Sequence, residues 1–596
     1  MPSYRAPLDD MQFLLHDVHN AAQLAQLPGF EDATPDVINA VLAEAAKVCE
    51  ELLFPLNQSG DAEGCHFENG EVKTPKGFKE AYAQYIAAGW TGLPAPTEFG
   101  GQGLPEAVRF VVEEMLCSAN LSFSMYPGLS HGACSALQSH GSDELKRRFL
   151  PKLIDGTWSG TMCLTEAQAG TDLGILTTKA IPAGDGAYKI TGTKIFISAG
   201  DQDLTENIVH LVLAKLPNAP SGTKGISMFV VPKYLPTDEG KPGTKNGVTC
   251  GSIEHKMGIR GSATCVLNFD DATGWMVGEE HKGMRAMFTM MNGARLAVGM
   301  QGLGLSEVAY QNALAYAKER LQGRSLTGAK NPSGVADPII VHPDVRKGLL
   351  RVKAFNEGMR SLAYWVGILI DVELHSTDAA KKEEATDLVA LMTPVIKAFL
   401  TDRGFDGTNI ALQTLGGHGY IREYGIEQYV RDARIAQIYE GTNAVQALDL
   451  VGRKLPMEGG RLVRRFFEMV KGDIDAASDN EAVAEFAKML GASLYQLQKA
   501  TMMLAERGFA NPDEAGAAAT DYLNLMGFVA VGWQWLKMAT VASRKLAAGE
   551  GDKRFLEAKM KTARFYFVRL LPEAATLLAA IQSGSAPIMA FSADEF

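Results

Sequence analysis

Gln437-Ile438-Tyr439-Glu440-Gly441-Thr442-Asn443 is the stretch on which the reading of this chain turns. It follows Gly416-Gly417-His418-Gly419-Tyr420 and Arg431-Asp432-Ala433-Arg434. Apolar helical runs flank it, so Glu440 sits in a tight turn with a glycine beside it. A carboxylate held there can face an enclosed pocket and stay dry enough to take a proton from a weakly acidic C–H bond. Read alone, the same residues are a helix junction, with Gly441 ending one helix and Thr442 capping the next. The matching motifs upstream decide between the two.

Around this stretch the chain changes texture three times. Residues 1–160 read as a mostly helical domain. Residues 161–278 read as a β domain: Tyr188 to Ser198, Ile208 to Leu213 and Ile226 to Val231 have strand composition, with Gly, Pro and Asn clusters between them, as in antiparallel structure. Helical texture returns over 279–455, where three further long helices are expected after Met300 and Gly323 to Pro343 reads as a loop. Residues 456–596 form an additional helical domain after Pro456-Met457-Glu458-Gly459-Gly460. The predicted fold class is α+β, mostly α, without the alternating pattern of a doubly wound sheet.

Composition sets the outer limits. Of the 596 residues, 46% are hydrophobic and 21% charged, as in ordinary globular chains that bury a large core. A net charge of −12 argues against nucleic acid as a partner, while leaving room for a small anionic ligand. Seven cysteines without a C-x-x-C pair point to scattered thiols in a reducing compartment rather than to a zinc or iron–sulfur site, so no metal is expected. The N-terminus has early acids and no apolar core of a signal peptide, and no unbroken run reaches the roughly 18 apolar residues of a spanning helix. Cytoplasmic localisation is the default, with membrane contact not expected.

A flavin dehydrogenase lacking a nucleotide-binding βαβ unit needs donors to the flavin ring, a planar side chain against it, partners for the pyrophosphate, and a base facing the substrate. Candidates occur in order. Met162-Cys163-Leu164-Thr165-Glu166-Ala167-Gln168-Ala169-Gly170-Thr171-Asp172 is a small-residue loop with hydroxyls at 165 and 171. Lys194-Ile195-Phe196-Ile197-Ser198 places an aromatic and a hydroxyl two apart, on one face of a strand. Arg320-Leu321-Gln322-Gly323-Arg324 supplies cations after a helix, and Gln413-Thr414-Leu415-Gly416-Gly417 an amide and open backbone. Each block has an ordinary structural reading: Phe196 as core, Arg320 as a solvated helix-end cation, the glycines as a turn.

Together, in this order and spacing, these blocks resemble the signatures of the acyl-CoA dehydrogenase family over roughly residues 35 to 455. The opening and the added C-terminal block resemble its large bacterial subgroup, which includes 3-methylmercaptopropionyl-CoA dehydrogenase. The resemblance implies a helical N-terminal domain, a β-barrel-like middle domain, a helical bundle and an extra helical domain, with FAD between the middle domain and the bundle. It implies that Glu440 is the catalytic base, removing the α-proton of an acyl-CoA thioester while flavin N5 accepts the β-hydride, to give trans-2-enoyl-CoA. It assigns FAD contacts to Met162, Leu164, Thr165, Gly170, Thr171, Phe196, Ile197, Ser198, Arg320, Gln322, Gln413, Gly416, Gly417, Thr442 and Asn443. Substrate contacts fall to Thr171, Asn292, Arg295, Tyr439 and Gly441. Relatives often carry Trp and Thr where this chain has Phe196 and Ser198, and Thr-Phe where it has Gln322-Gly323. The resemblance also implies a homodimer or dimer of dimers, an electron-transfer flavoprotein as acceptor, and a place in fatty acid β-oxidation. Two other functions use the same scaffold: an oxidase passing electrons to oxygen, and a non-catalytic binding or scaffold relative. The C-terminal block lacks a basic stripe for DNA and is expected to serve within the chain or the dimer.

Overall fold

The structure, a computed structural model, describes residues 2–596. They form two compact units, one of residues 47–104 and 119–297, the other of residues 2–46, 105–118 and 298–596.

The first unit is built on a seven-stranded sheet: β1 (Trp158–Cys163), β2 (Lys179–Gly184), β3 (Ala187–Ser198), β4 (Asn207–Lys215), β5 (Ile226–Pro232), β6 (Val248–Ile253) and β7 (Thr264–Val277). β7 pairs with β6, β3 and β5, β3 with β2, and β4 with β5, β1 and, at Lys179↔Lys215, β2. The path β7–β3–β2–β4–β5–β7 therefore closes on itself, which removes most exposed edges. β1 lies parallel to β4 along its whole length, so the sheet is mixed where the composition suggested antiparallel structure throughout. Two strands and their loops separate β1 from β4, enough chain for the crossover that a parallel pair requires.

Residues alternate between two cores along these strands. Val209, Leu211 and Leu213 of β4 join Trp158, Phe149 and Leu153. Val212 and Ala214 face the other way, toward Ile190, Ile197, Phe229 and Phe269. Both faces of β4 and β5 are covered, which is why between their ends they are apolar on both faces but for the buried His210 and Ser227. Two helices, α1 (Glu106–His140) and α2 (Asp143–Ile154), precede the sheet, and α1 is interrupted at Asn120 by extended φ/ψ angles of −160° and 90°. α3 (Gly283–Glu319) follows it.

In the second unit come α4 (Pro343–His375), α5 (Ala379–Thr414), α6 (Ile426–Arg434) and α7 (Asn443–Asp449). Two long helices stand where three were expected, because the glycines between 416 and 425 break the chain into short turns before α6. The C-terminal block adds α8 (Arg461–Ala477), α9 (Ala484–Ala510), α10 (Pro512–Ala548), α11 (Lys553–Phe565) and α12 (Glu573–Gln582). α10 packs closely on α4 and α5: a Cβ at Gly527 would lie 2.3 Å from the Phe399 ring, and one at Gly358 would lie 2.6 Å from Val531. Phe355, Phe399, Phe528 and Tyr566 interlock edge to face there, with centroids 5.5 to 6.1 Å apart.

A buried charge cluster joins the same elements. Arg360 on α4 bonds Glu114, Glu307 and Asp10, and Lys559 on α11 bonds Asp10 and Glu357. One stretch, Lys553–Gln582, is long and apolar enough by length and composition to cross a membrane. It nevertheless carries eight charged residues, the buried Lys559 among them, and a turn at Leu571 and Pro572 divides it.

Candidate active site

Two groups of candidate residues emerge, one in each unit. In the first unit, Thr165 follows the end of β1, and the amide of Ile195 on β3 donates to its carbonyl at 2.9 Å. That bond ties the 164–178 loop to β3 where the β3–β7 register shifts, two β3 residues (Ile195 and Phe196) standing opposite Val266. The bulge puts Phe196 at φ +57° and leaves its ring 60% exposed, although most phenylalanines on a strand are core. A left-handed conformation costs a non-glycine residue roughly 1–2 kcal/mol, so here the chain holds an aromatic outward at a cost. Ser198, half-buried, lies two residues on, opposite Thr264. Ile197 points into the barrel at 2% exposure, so only its backbone can meet a ligand.

The loop itself is organised by Glu166, for which the sequence reading gave no role. Its carboxylate accepts from the Thr177 amide and hydroxyl (both 2.7 Å), the Thr178 amide (3.0 Å) and hydroxyl (2.6 Å), Gln168 (2.7 Å) and Lys194 (2.9 Å). Burial opposes ionisation, but the Thr178 hydroxyl, the Lys194 ammonium and the Thr177 amide hold Glu166 well below the usual carboxylate range. Lys194 is fully buried and also donates to the Leu164 carbonyl at 2.9 Å. Gly170 and Thr171 are exposed on the loop, with nothing within 4 Å of where a Gly170 Cβ would sit. Met162 and Leu164 are half-buried against the core. Asn292 is exposed on α3, and one turn later Arg295 is 7% exposed, its Nη1 3.5 Å from Asn292 Oδ1 and its guanidinium carbon 5.9 Å from the Phe288 ring centre.

In the second unit, Glu440 takes φ +57° and Gly441 φ +81°, two left-handed residues in succession. Only glycine accepts this freely, and a Cβ at Gly441 would lie 2.8 Å from Gln446 Nε2. The Thr442 hydroxyl caps α7 by accepting from Val445 N at 3.3 Å, so that half of the helix-junction reading holds, whereas the preceding helical turn already ends at Gln437 and Gly441 ends no helix. Neighbouring side chains hold the turn. Buried Gln446 donates to the Glu440 carbonyl at 2.9 Å. Fully buried Lys397 on α5 donates to the Gly441 carbonyl and to Asn443 Oδ1, both at 2.8 Å. Asp402 Oδ1 accepts from Gln437 before the turn and Asn443 after it, both at 2.7 Å. Tyr439, whose hydroxyl burial pushes up, donates to Gln301. Glu440 itself is half-buried.

Elsewhere in this unit, Gln413, Gly416 and Gly417 are exposed at the end of α5, with nothing within 4 Å of a Cβ at either glycine. His418 is structural, hydrogen-bonded to the Tyr316 hydroxyl at 2.8 Å and stacked on Tyr424. Arg320 and Gln322 are exposed at the start of a loop built around Asp337. That buried carboxylate accepts from the amides of Ser325 (2.8 Å), Lys330 (2.9 Å) and Asn331 (2.7 Å), which with Arg324 hold it down at about 2.

The sequence reading passed over Lys194, Lys397, Gln446, Asp402 and Asp337. One signal was available: a lysine inside an apolar run, as in Val395-Ile396-Lys397-Ala398-Phe399, has to be paired where it is buried.

Domain profiles of one family match most of the chain: acyl-CoA dehydrogenase N-terminal domain over 38–157, middle domain over 161–272 and C-terminal domain over 281–455, with acetyl-CoA dehydrogenase C-terminal like over 466–592. The chain belongs to the acyl-CoA dehydrogenase family. It is 44% identical over 579 residues to 3-methylmercaptopropionyl-CoA dehydrogenase of Ruegeria pomeroyi, covering 96% of each chain. It is 34% identical over 592 residues to a broad-specificity linear acyl-CoA dehydrogenase of Mycobacterium tuberculosis, again covering 96% of each. The solved acyl-CoA dehydrogenase of Bacillus anthracis, complexed with FAD, shares the fold at a TM-score of 0.74 and 20% identity, over 94% of this chain and 90% of that one.

This acyl-CoA dehydrogenase depends on FAD. The residues present fit that cofactor. Within the first unit, an outward phenyl on a bulge suits the face of a flavin ring, and the Thr165 and Ser198 hydroxyls suit its polar edge.

Proposed function

We propose that this chain dehydrogenates the α,β-bond of an acyl-CoA, with Glu440 as the base that takes the α-proton. The observation that carries this reading is the doubly left-handed turn at Glu440 and Gly441, tied down through its carbonyls and flanks by Gln446, Lys397 and Asp402. A strained turn held in this way is characteristic of functional positions. The backbone N–H of Glu440 donates to the thioester carbonyl, where enolate-like charge builds up as the proton leaves. One such donor lowers a barrier by about 3 kcal/mol. The acyl chain expels water as it binds, which raises the basicity of the carboxylate. FAD, when bound, supplies the acceptor for the β-hydrogen and its electron pair, so the product is trans-2-enoyl-CoA.

Thr165, Phe196 and Ser198 hold the flavin in this reading, and Arg320, Gln322, Gln413, Gly416 and Gly417 contact the rest of FAD. Thr171, Asn292, Arg295, Tyr439 and Gly441 line the substrate. The Asn443 amide already reaches Ala398, Thr401 and Asp402, so with Thr442 it serves FAD by fixing the turn. A homodimer completes the assembly, and an electron-transfer flavoprotein takes the electrons. The relatives' names point to linear acyl groups and the methylthio-propionyl ester as first substrates to try. Anaerobic mixing of the Glu440→Gln holoenzyme with such acyl-CoAs tests the base. Flavin bleaching at near wild-type rate would remove Glu440 from that role.

A further inference from the structure

The outer face of α9 carries three large apolar side chains that the fold does not use. Phe486, Leu490, Leu494, Leu497 and Leu504 turn inward, and the helix packs on α8, α10 and α12. On the opposite side Tyr495, Met502 and Phe509 are 68%, 74% and 95% exposed. Each follows the last by seven residues, which on a helix is a drift of only about 20° and a rise of about 10.5 Å. They therefore form one stripe. A single exposed hydrophobic residue needs no explanation, whereas an aligned set marks a contact surface. The chain's end adds to it: Ser585 donates its amide to Glu514 at 2.9 Å, Glu514 lies 3.9 Å from Arg507, and the exposed Ile588, Met589 and Phe591 follow.

The order of residues fits this stripe to a copy of itself. Met502 stands midway between Tyr495 and Phe509. Along one flank run Lys499, three residues before Met502, and Glu506, four after it; both are exposed, and neither is ion-paired among the described residues. We propose that this face of α9 is a seam between two copies of this chain, the helices antiparallel about a two-fold axis at Met502. In a two-fold contact every pairing occurs twice. Tyr495 lies against the partner's Phe509, Met502 against the partner's Met502, and Lys499 against the partner's Glu506, one residue out of level. An antiparallel pair sets like flanks together, so both charge pairs form. A parallel pair would set Lys499 beside the partner's Gln498 and leave the charges unmatched. Charge complementarity thus fixes the direction, and the apolar row supplies the burial. The seam is carried by residues that take no part in the chemistry at Glu440.

Analytical sedimentation of the full-length holoenzyme reads the seam. Met502→Glu sets two carboxylates on the axis, so the particle mass should fall to half, with the dissociation constant of that step raised by about 30-fold or more. Lys499→Glu and Glu506→Lys should each weaken association by about fivefold. The double variant should recover it, because each charge meets the other across the axis. Met502→Cys should give a disulfide-linked dimer with diamide, the two thiols passing two protons and two electrons to the reagent. Lys488→Cys, about 21 Å along α9 from Met502, should not. A Met502→Glu protein of unchanged mass overturns the proposal. So does a double charge variant as weak as the single ones, or cross-linking at 502 no faster than at 488. Wild-type protein that sediments with phosphatidylglycerol vesicles, where Met502→Glu does not, overturns it too and gives the stripe to a membrane surface. All these positions are exposed, so melting and bound FAD should not change. If Met502→Glu does not fold, the charge exchange decides.

Discussion

Each of the two candidate-site segments is held by a buried lysine, and the two lysines act in different ways. Lys194 anchors the 164–178 loop through an ion pair with Glu166, 2.9 Å away, and through the Leu164 carbonyl. Lys397 anchors the Glu440 turn through a carbonyl and an amide. The first is a mutual neutralisation that rigidifies a platform carrying Thr165 and Phe196. The second ties a main-chain and a side-chain oxygen on either side of Thr442, next to a turn that carries a carboxylate of its own. One lysine holds its segment through a neighbouring carboxylate as well as a carbonyl, and the other through oxygens of the turn itself, so the first anchor answers to the protonation of a partner.

The most severe way to break this contrast is Glu440→Gln. It removes the carboxylate of the turn that the second lysine ties, and flavin reduction should fall by about 100-fold or more, with bound FAD retained in the visible spectrum. Next comes Lys194→Met, which strands the Glu166 carboxylate in the interior. Losing one partner of such a pair costs about 3–5 kcal/mol, so thermal unfolding should move down sharply and FAD should be held more weakly. Unchanged melting would mean that the pair is ornamental.

Acid separates the two anchors more gently. Glu166 is held below its unfolded proton affinity, so its contribution is complete above the ordinary glutamate value of about 4.3. It is lost only as pH falls through the lower folded value. Exchange protection at the Thr177 and Thr178 amides should therefore persist at pH 4 and fail at more acid pH. The Asp337 loop, whose carboxyl sits at about 2, obeys the same sign. Protection lost already at pH 5 would contradict this. The smallest effect is at the bulge: Phe196→Gly should raise stability by up to about 1 kcal/mol by relieving the left-handed strain, while weakening FAD binding. Opposite signs in the two measurements would identify Phe196 as held for a ligand, and a loss in both would make it ordinary packing.

Much of this was legible in the sequence. The order of blocks around Thr165, Phe196, Gln413 and Glu440 gave the family, and with it the helix–β–helix arrangement. The glycine beside Glu440 foretold a special turn. What stayed hidden depends on pairing across long separations. The register shift that turns Phe196 outward arises between β3 and β7, and the parallel β1–β4 pair joins segments more than forty residues apart. Neither leaves a local pattern. Lys397 reads as one polar residue in a long helix, and its partners lie more than forty positions further on. The count of helices after Met300 failed because four glycines between 416 and 425 outweigh the apolar residues among them.

The buried cluster of Arg360, Glu114, Glu307, Asp10, Glu357 and Lys559 has a consequence for how the chain is made. Lys559 reaches Asp10 across 549 positions of sequence. During synthesis Asp10 therefore emerges from the ribosome long before its lysine, so the helices around it wait, incompletely matched, until α11 is made. A message cut short before α11 yields a protein in which Asp10 and Glu357 lose Lys559 while Arg360 and Lys353 stay beside them.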